Sequence, residues 1–383
     1  MLFIWLGFGA FILLLLALDL GVFHREAHVV KVREAFAWTG VWLTVALLFA
    51  IFVYFGYENH WLGLGSSVDS IDGRVNDGRL AVVKYLTGYV IEWSLSVDNV
   101  FVIAMIFAAL GVPAIYQHRV LFWGILGALV MRGVMIGVGA QLVARYHWIL
   151  YVFGVFLIVT AVRMAMSGSE HEDPGQGFVL RFTRKHFRVT KDYHGQSFTA
   201  RDSAGRFMLT PLAVALVLVE TTDLIFAVDS IPAIFAITTD PFLVATSNVF
   251  AILGLRSLYF ALAGAIDKFR YLKYSLAIIL ALVGAKMLAQ EWLKETFGPN
   301  FNFFLLGMVA LILVGGVVVS LLKTRGEHRD GVATGDLGTV HVDDPARDDD
   351  DPRPIVGDGV PRGSVDGARP GAPARDPAGE PPR

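Results

Sequence analysis

Long apolar runs separated by short charged segments divide the chain from its first residue to Lys323. About 20 apolar residues carry a helix across the hydrocarbon layer of a bilayer, and buried strands are shorter. Runs of roughly that length lie at Met1–Leu20, Trp38–Tyr57, Leu80–Leu110, Leu121–Leu142, Trp148–Met166, Thr210–Ile237, Phe242–Ile266, Leu272–Leu288 and Phe301–Leu322. The expected fold class is all-α, a polytopic membrane helix bundle of about nine transmembrane helices. No basic leader segment or small-residue cleavage site precedes His24-Arg25-Glu26-Ala27-His28, so the first run reads as a retained helix.

One run breaks the apolar pattern. The stretch from Val219 to Thr238 carries Glu220, Asp223 and Asp229. An aspartate near the centre of a membrane helix costs roughly 2.5–3.5 kcal/mol, so three acids on one span need protein, water or a cation to face. That points to an ion or proton site.

The same spacing recurs upstream. Glu92-Trp-Ser-Leu-Ser-Val-Asp98-Asn99 lies over Asp223-Leu-Ile-Phe-Ala-Val-Asp229-Ser230, Arg132 falls near Arg256, and Arg163-Met164 lies over Lys286-Met287. The repeating unit is three helices long. An odd number of crossings brings the second copy in from the opposite side, so the spans form a three-plus-three inverted repeat with a site near the midplane. On one helix Glu92 and Asp98 are about 9 Å apart along the axis and roughly 120° apart in azimuth. Inversion therefore pairs unlike acids, Glu92 level with Asp229 and Asp98 level with Asp223. Ser94, Ser96, Asn99 and Ser230 add neutral oxygens, and Pro232 cannot donate to the Val228 carbonyl, which leaves another.

Composition agrees with a membrane bundle: of 383 residues 55% are hydrophobic and 17% charged, and mean hydropathy is +0.58. The net charge of -2 comes with no basic, aromatic-interleaved face, so nucleic acid is not an expected partner. With 0 cysteines there is no disulfide framework, thiolate metal site or cysteine nucleophile.

Lys and Arg cluster in alternate loops. Arg25, Lys31, Arg33, Arg119, the basic residues of 167–207, Lys268, Arg270, Lys273, Lys323 and Arg325 share one side, against Arg74, Arg79, Arg145 and Lys294 on the other. This bias predicts the N-terminus outside and the C-terminus cytoplasmic, and the expected location is the cell inner (plasma) membrane. The divisions are two N-terminal helices with their loops (1–79), repeat 1 (80–166), a cytoplasmic loop (167–207), repeat 2 (208–290), a last helix (291–323) and a Gly-, Pro- and Asp-rich cytoplasmic tail (324–383), expected to be disordered.

Carboxylates, hydroxyls and amides without thiols suit a hard divalent cation such as Mn²⁺, Mg²⁺ or Ca²⁺. Facing carboxylates cannot all stay charged and dry without a cation or proton between them, so cation binding is expected to release protons. A structural network with Arg132 and Arg256 is the other reading of these acids; gating is a further role for the two arginines. Asp19, at the end of the first run, is a pathway candidate. The i, i+4 histidines His24 and His28, with Glu26 between them, read as a solvated surface before a zinc site, and Gly133, Gly137 and Gly139 read as close helix packing. No catalytic triad, nucleotide loop or resident cofactor is expected, and oligomeric state stays open.

Several strings resemble the TerC family of integral membrane proteins. They are Leu-Asp19-Leu-Gly-Val-Phe-His-Arg, Glu92-Trp-Ser-Leu-Ser-Val-Asp98-Asn99, Tyr116-Gln-His-Arg through Met131-Arg132, Val219 through Thr238, and Thr246-Ser-Asn through Leu258-Tyr-Phe. The likeness covers Phe3 to Leu321. It implies a manganese exporter-like protein from a family named for tellurium (tellurite) resistance, with Glu92, Asp98, Glu220, Asp223 and Asp229 serving metal transport. The alternative is a membrane-bound redox modulator or assembly scaffold acting through the 167–207 loop and the tail.

Overall fold

A computed structural model describes residues 2–18, 32–166, 181–262 (except 182, 184, 186, 191 and 202–204), 272–297 and 301–334. The helices, in order, are α1 (Leu2–Leu18), α2 (Val32–Glu58), α3 (Gly78–Leu110), α4 (Ala114–Arg145), α5 (Ile149–Met166), α6 (Pro211–Phe235), α7 (Pro241–Leu253), α8 (Leu255–Leu262), α9 (Leu272–Leu288), α10 (Gln290–Phe297) and α11 (Phe301–Thr334). Two small hairpins interrupt them. Strands β1 (Val68–Asp69) and β2 (Arg74–Val75) pair between α2 and α3, and β3 (Thr199–Arg201) and β4 (Phe207–Leu209) pair before α6.

Each of the nine apolar runs holds a helix. Seven helices, not nine, are long and apolar enough to cross a membrane among the described residues, with α7 and α8 counted as one span across Gly254. The other two, α1 and α9, are 17 residues each, and α9 also carries Lys273 and Lys286. The β3–β4 hairpin overlaps the end of the 167–207 segment, and α11 continues past Lys323 to Thr334. Asp19, His24, Glu26, His28 and the tail from 335 onward lie outside the described residues.

Local chemistry sets the helix ends. The Asp77 side chain caps α3 by accepting from Leu80 N–H at 2.7 Å, and Gly111 ends it at φ 64°, where a glycine avoids the Cβ clash. Asp240 caps α7 through Phe242 N–H at 3.0 Å, with Pro241 at the first helical position.

Packing then places the polar positions. α3 and α6 lie against each other at the centre, α7 packs on α3 and on α4, and α4 packs on α6; α5 packs extensively on α9. α3 starts and α6 ends beside the β1–β2 hairpin, because Asp69 meets Thr238 and Thr239; the two helices are antiparallel. α5 and α9 are also antiparallel, with Gly154 beside Met287 and Gly284 beside Leu157. Tyr259 donates to Gln117 at 3.0 Å, so α8 ends where α4 starts. Apolar side chains such as Val130, Val134, Val155, Val159 and Leu311 point outward, as a helix facing lipid requires.

Candidate functional site

At the centre Arg132 of α4 inserts between α3 and α6. The guanidinium grips Asp223 with two arms, Nε to Oδ2 at 3.2 Å and Nη2 to Oδ1 at 3.0 Å, and Nη1 donates to Glu92 Oε1 and, at 3.3 Å, to Ser230 Oγ. Asn99 donates its amide to Asp223 Oδ1 at 2.8 Å. Arg132, Glu92, Asp223, Asn99 and Ser230 are all buried. A planar fork with five donors is the side chain suited to joining two carboxylates in this way.

Two oxygens in this cluster remain over. Glu92 Oε2 and Asn99 Oδ1 are buried and have no hydrogen-bond partner among the described residues. Asn99 and Asp223 line a cavity of about 10 Å³, closed by Arg256 of α8 and by apolar residues that include Ile103 and Val219. That space is about one water molecule in size.

The expected pairing of acids is corrected in one respect. The levels agree and the faces do not. Glu92 shares Arg132 with Ser230 in place of Asp229, and Asp223 meets Asn99 in place of Asp98. The neighbouring residue in each helix takes the expected place, a turn of about 100°. Asp229 instead accepts from Thr160 of α5 at 3.3 Å with Arg163 nearby, and Asp98 feels the charge of Lys273 on α9. Each outer acid thus faces a helix away from the Arg132 centre, Asp229 toward α5 and Asp98 toward α9. No group of three or more acid or histidine side chains forms a ready-made metal cage among the described residues.

The remaining candidates occupy separate places. Glu220 sits one turn before Asp223, with its carboxylate over Gly127 of α4, where a Cβ would collide with it. Ser94 is buried but satisfied by its own helix, donating to Val90 O at 2.6 Å, and Ser96 is buried in α3. Helix α6 continues through Pro232 to Phe235, and the carbonyl that receives a cation is Ala236 O, to which Lys286 donates.

Sequence reasoning missed a second buried cluster, where Lys84 of α3 meets Asp69, Asp72 and Asn76. A lysine inside the apolar run from Leu80 was the visible signal. Burial pushes the Asp69 carboxyl up, but the Lys84 ammonium and hydrogen bonds from Lys84, Thr238 and Ile71 N–H outweigh it and hold the group at about 2, against its ordinary 3.8. The lowered value means Asp69 stabilises the fold above pH 3.8, and this contribution is lost as pH falls through about 2. An acid titration followed by limited proteolysis at 68–75 is expected to show the hairpin intact at pH 4 and released only toward pH 2.

With this geometry in view, the comparisons assign the family. The description "integral membrane protein TerC family" matches residues 78–328, and the chain belongs to that family. An uncharacterised membrane protein of Myxococcus xanthus is 46% identical over 84% of this chain and 93% of its own length. A protein of Escherichia coli K12, named as a proposed membrane-bound redox modulator, Alx, is 46% identical over 83% of this chain and 94% of its own. A membrane protein of Rickettsia bellii is 36% identical over 82% and 98%. No solved structure matches.

Proposed function

We propose that this protein is a secondary transporter that exports a divalent metal cation, manganese foremost, through the polar centre between α3, α4 and α6. The observation that carries the reading is the pair of buried oxygens without a hydrogen-bond partner among the described residues, Glu92 Oε2 and Asn99 Oδ1, in the cluster that Arg132 and Asp223 join. Leaving such a group unsatisfied costs roughly 1–3 kcal/mol, and an arriving cation offsets it. The donors are all oxygens, as Mn²⁺ prefers.

Arg132 is the resident counter-charge of Glu92 and Asp223. A cation reaching the Asp223 cavity competes with the guanidinium for Glu92 and Asp223, so occupancy is linked to the position of α4. Asp98, Glu220 and Asp229 serve as flanking stations and proton carriers. The contact pattern supports a three-plus-three inverted repeat: α3 against α6, α4 against α7–α8 and α5 against α9 are antiparallel pairs of equivalent helices. In this reading α1 and α9 complete nine crossings through local bilayer thinning, with the N-terminus outside an inner membrane.

The names of the Alx relatives favour a second reading, a redox modulator. Thiol–disulfide exchange is not open to a chain with 0 cysteines. The two readings part in everted vesicles loaded by Mn²⁺ uptake. Asp223→Asn is expected to cut uptake at least about tenfold, and a protonophore to lower it in the parent, while truncation after Thr324 leaves it intact. Parental uptake by Asp223→Asn would sink the transport reading.

A further inference from the structure

The β1–β2 hairpin closes its end of the bundle with bonds that the Arg132 centre does not use. Lys84, 1% exposed, points its ammonium at Asp69 Oδ2 (2.8 Å), Asp72 Oδ2 (2.7 Å) and Asn76 Oδ1 (2.6 Å). Asp69 also accepts from Thr239 N–H at 3.1 Å, from the Thr239 hydroxyl at 2.9 Å and from the Thr238 hydroxyl, and Ser70 N–H donates to Thr239 Oγ1 at 3.0 Å. Thr238–Asp240 is the connection from α6 to α7. The hairpin is therefore tied to the end of the helix that carries Asp223 and Asp229. Ile71, at the hairpin tip and 3% exposed, plugs the bundle there.

Beside the hairpin is a cavity of about 30 Å³ lined by Ile71, Asp72, Lys286, Gln290 and Asn302 among others. Gln290 Oε1 is buried with no hydrogen-bond partner among the described residues. Asp72 and Lys286 bring opposite charges to this space, which suits one or two waters better than a bare cation. A water-sized hollow thus lies against Ile71 and Asp72 of the hairpin.

We propose that the Val68–Val75 hairpin is the gate on this side of the transport site, latched shut by Lys84 through Asp69 to the Thr238–Asp240 connection. Strands of two residues do not hold themselves together, so the hairpin depends on these side-chain bonds. A buried ion pair adds little net stability over an apolar core, yet loss of one partner disables the whole cluster. That combination gives a closure that opens as a unit. The proposal rests on the transport reading for its purpose but not for its test.

The absence of native cysteine makes the test clean. In purified full-length protein, Ile237→Cys, at a 0% exposed position beside the connection, reports opening through its reaction with a membrane-impermeant maleimide. Adding Lys84→Met, or separately Thr239→Ala, is expected to speed labelling at least about tenfold. A disulfide between Ser70→Cys and Thr239→Cys is expected to stop Mn²⁺ flux in proteoliposomes, and reduction to restore it. Restoration of flux by the reductant also shows that the locked protein is folded. Parental labelling rates in both the Lys84→Met and Thr239→Ala backgrounds, or a Mn²⁺ flux that is present in the parent and unchanged by the disulfide, would overturn the gate. Fast labelling in a protein whose unlocked parent carries no Mn²⁺ would uphold the gate and defeat the transport reading instead.

Discussion

Arg132→Leu is expected to be among the most destabilising single substitutions in the chain, by about 3–5 kcal/mol, read as a lower melting temperature in detergent and a lower yield of folded protein. The change removes the one group that joins Glu92 to Asp223, and both carboxylates remain buried between helices. Arg132→Lys should fall between the two, since an ammonium keeps the charge but cannot span both carboxylates as a fork. The informative variant is the triple Glu92→Gln, Asp223→Asn, Arg132→Leu. Replacing a whole buried ionic cluster by neutral groups is often close to neutral for stability, so the triple should recover most of the melting temperature and none of the Mn²⁺ uptake. Arg132→Leu alone melting like the parent would mean that these acids are held by protons or by another cation, and the resident counter-charge role of Arg132 would fall.

The levels of the central residues were legible in the sequence and their faces were not. Matching Glu92…Asp98 to Asp223…Asp229 came within one position of the contacts seen, Asn99 with Asp223 and Ser230 on the arginine that holds Glu92, since rise per residue fixes how antiparallel helices line up. It did not foretell which residue at each level turns inward. A helix rotated by one position exchanges Asp98 for Asn99 and Asp229 for Ser230, and that rotation is set by packing of all the helices together. Each apolar run held a helix for a similar reason, while the short α10 lies outside them: lipid demands a continuous apolar stretch whatever the packing. The Lys84 cluster escaped because its acids, Asp69 and Asp72, sit in a loop that reads as solvated, and only the fold of that loop over α3 buries them. Gly133 and Gly137 show the converse. They read as packing glycines, yet nothing lies within 4 Å of a Cβ at either, and among these three only Gly139 makes a close approach, to Phe235.

The close helix contact lies elsewhere, and it supplies the second large expected effect. Gly284→Ala should lower stability by about 1–3 kcal/mol, as overpacking does in a well-filled interface. A Cβ at Gly284 would stand 2.8 Å from the Gly154 carbonyl oxygen, 2.9 Å from Ile158 Cγ1 and 3.1 Å from Leu157 Cβ. The first of these is backbone and cannot rotate away, so α5 and α9 must separate. Small residues allow such an approach in membranes, where dispersion contacts replace the hydrophobic drive between helices. Separation would carry Thr160 of α5 away from Asp229, so Mn²⁺ uptake should weaken together with the melting temperature. Gly133→Ala and Gly137→Ala are the controls, each expected within about 0.5 kcal/mol of the parent because their Cβ positions are open. A Gly284→Ala protein melting with these controls would show that α5 and α9 have room to adjust, and the α5–α9 contact would lose its place as a rigid seam.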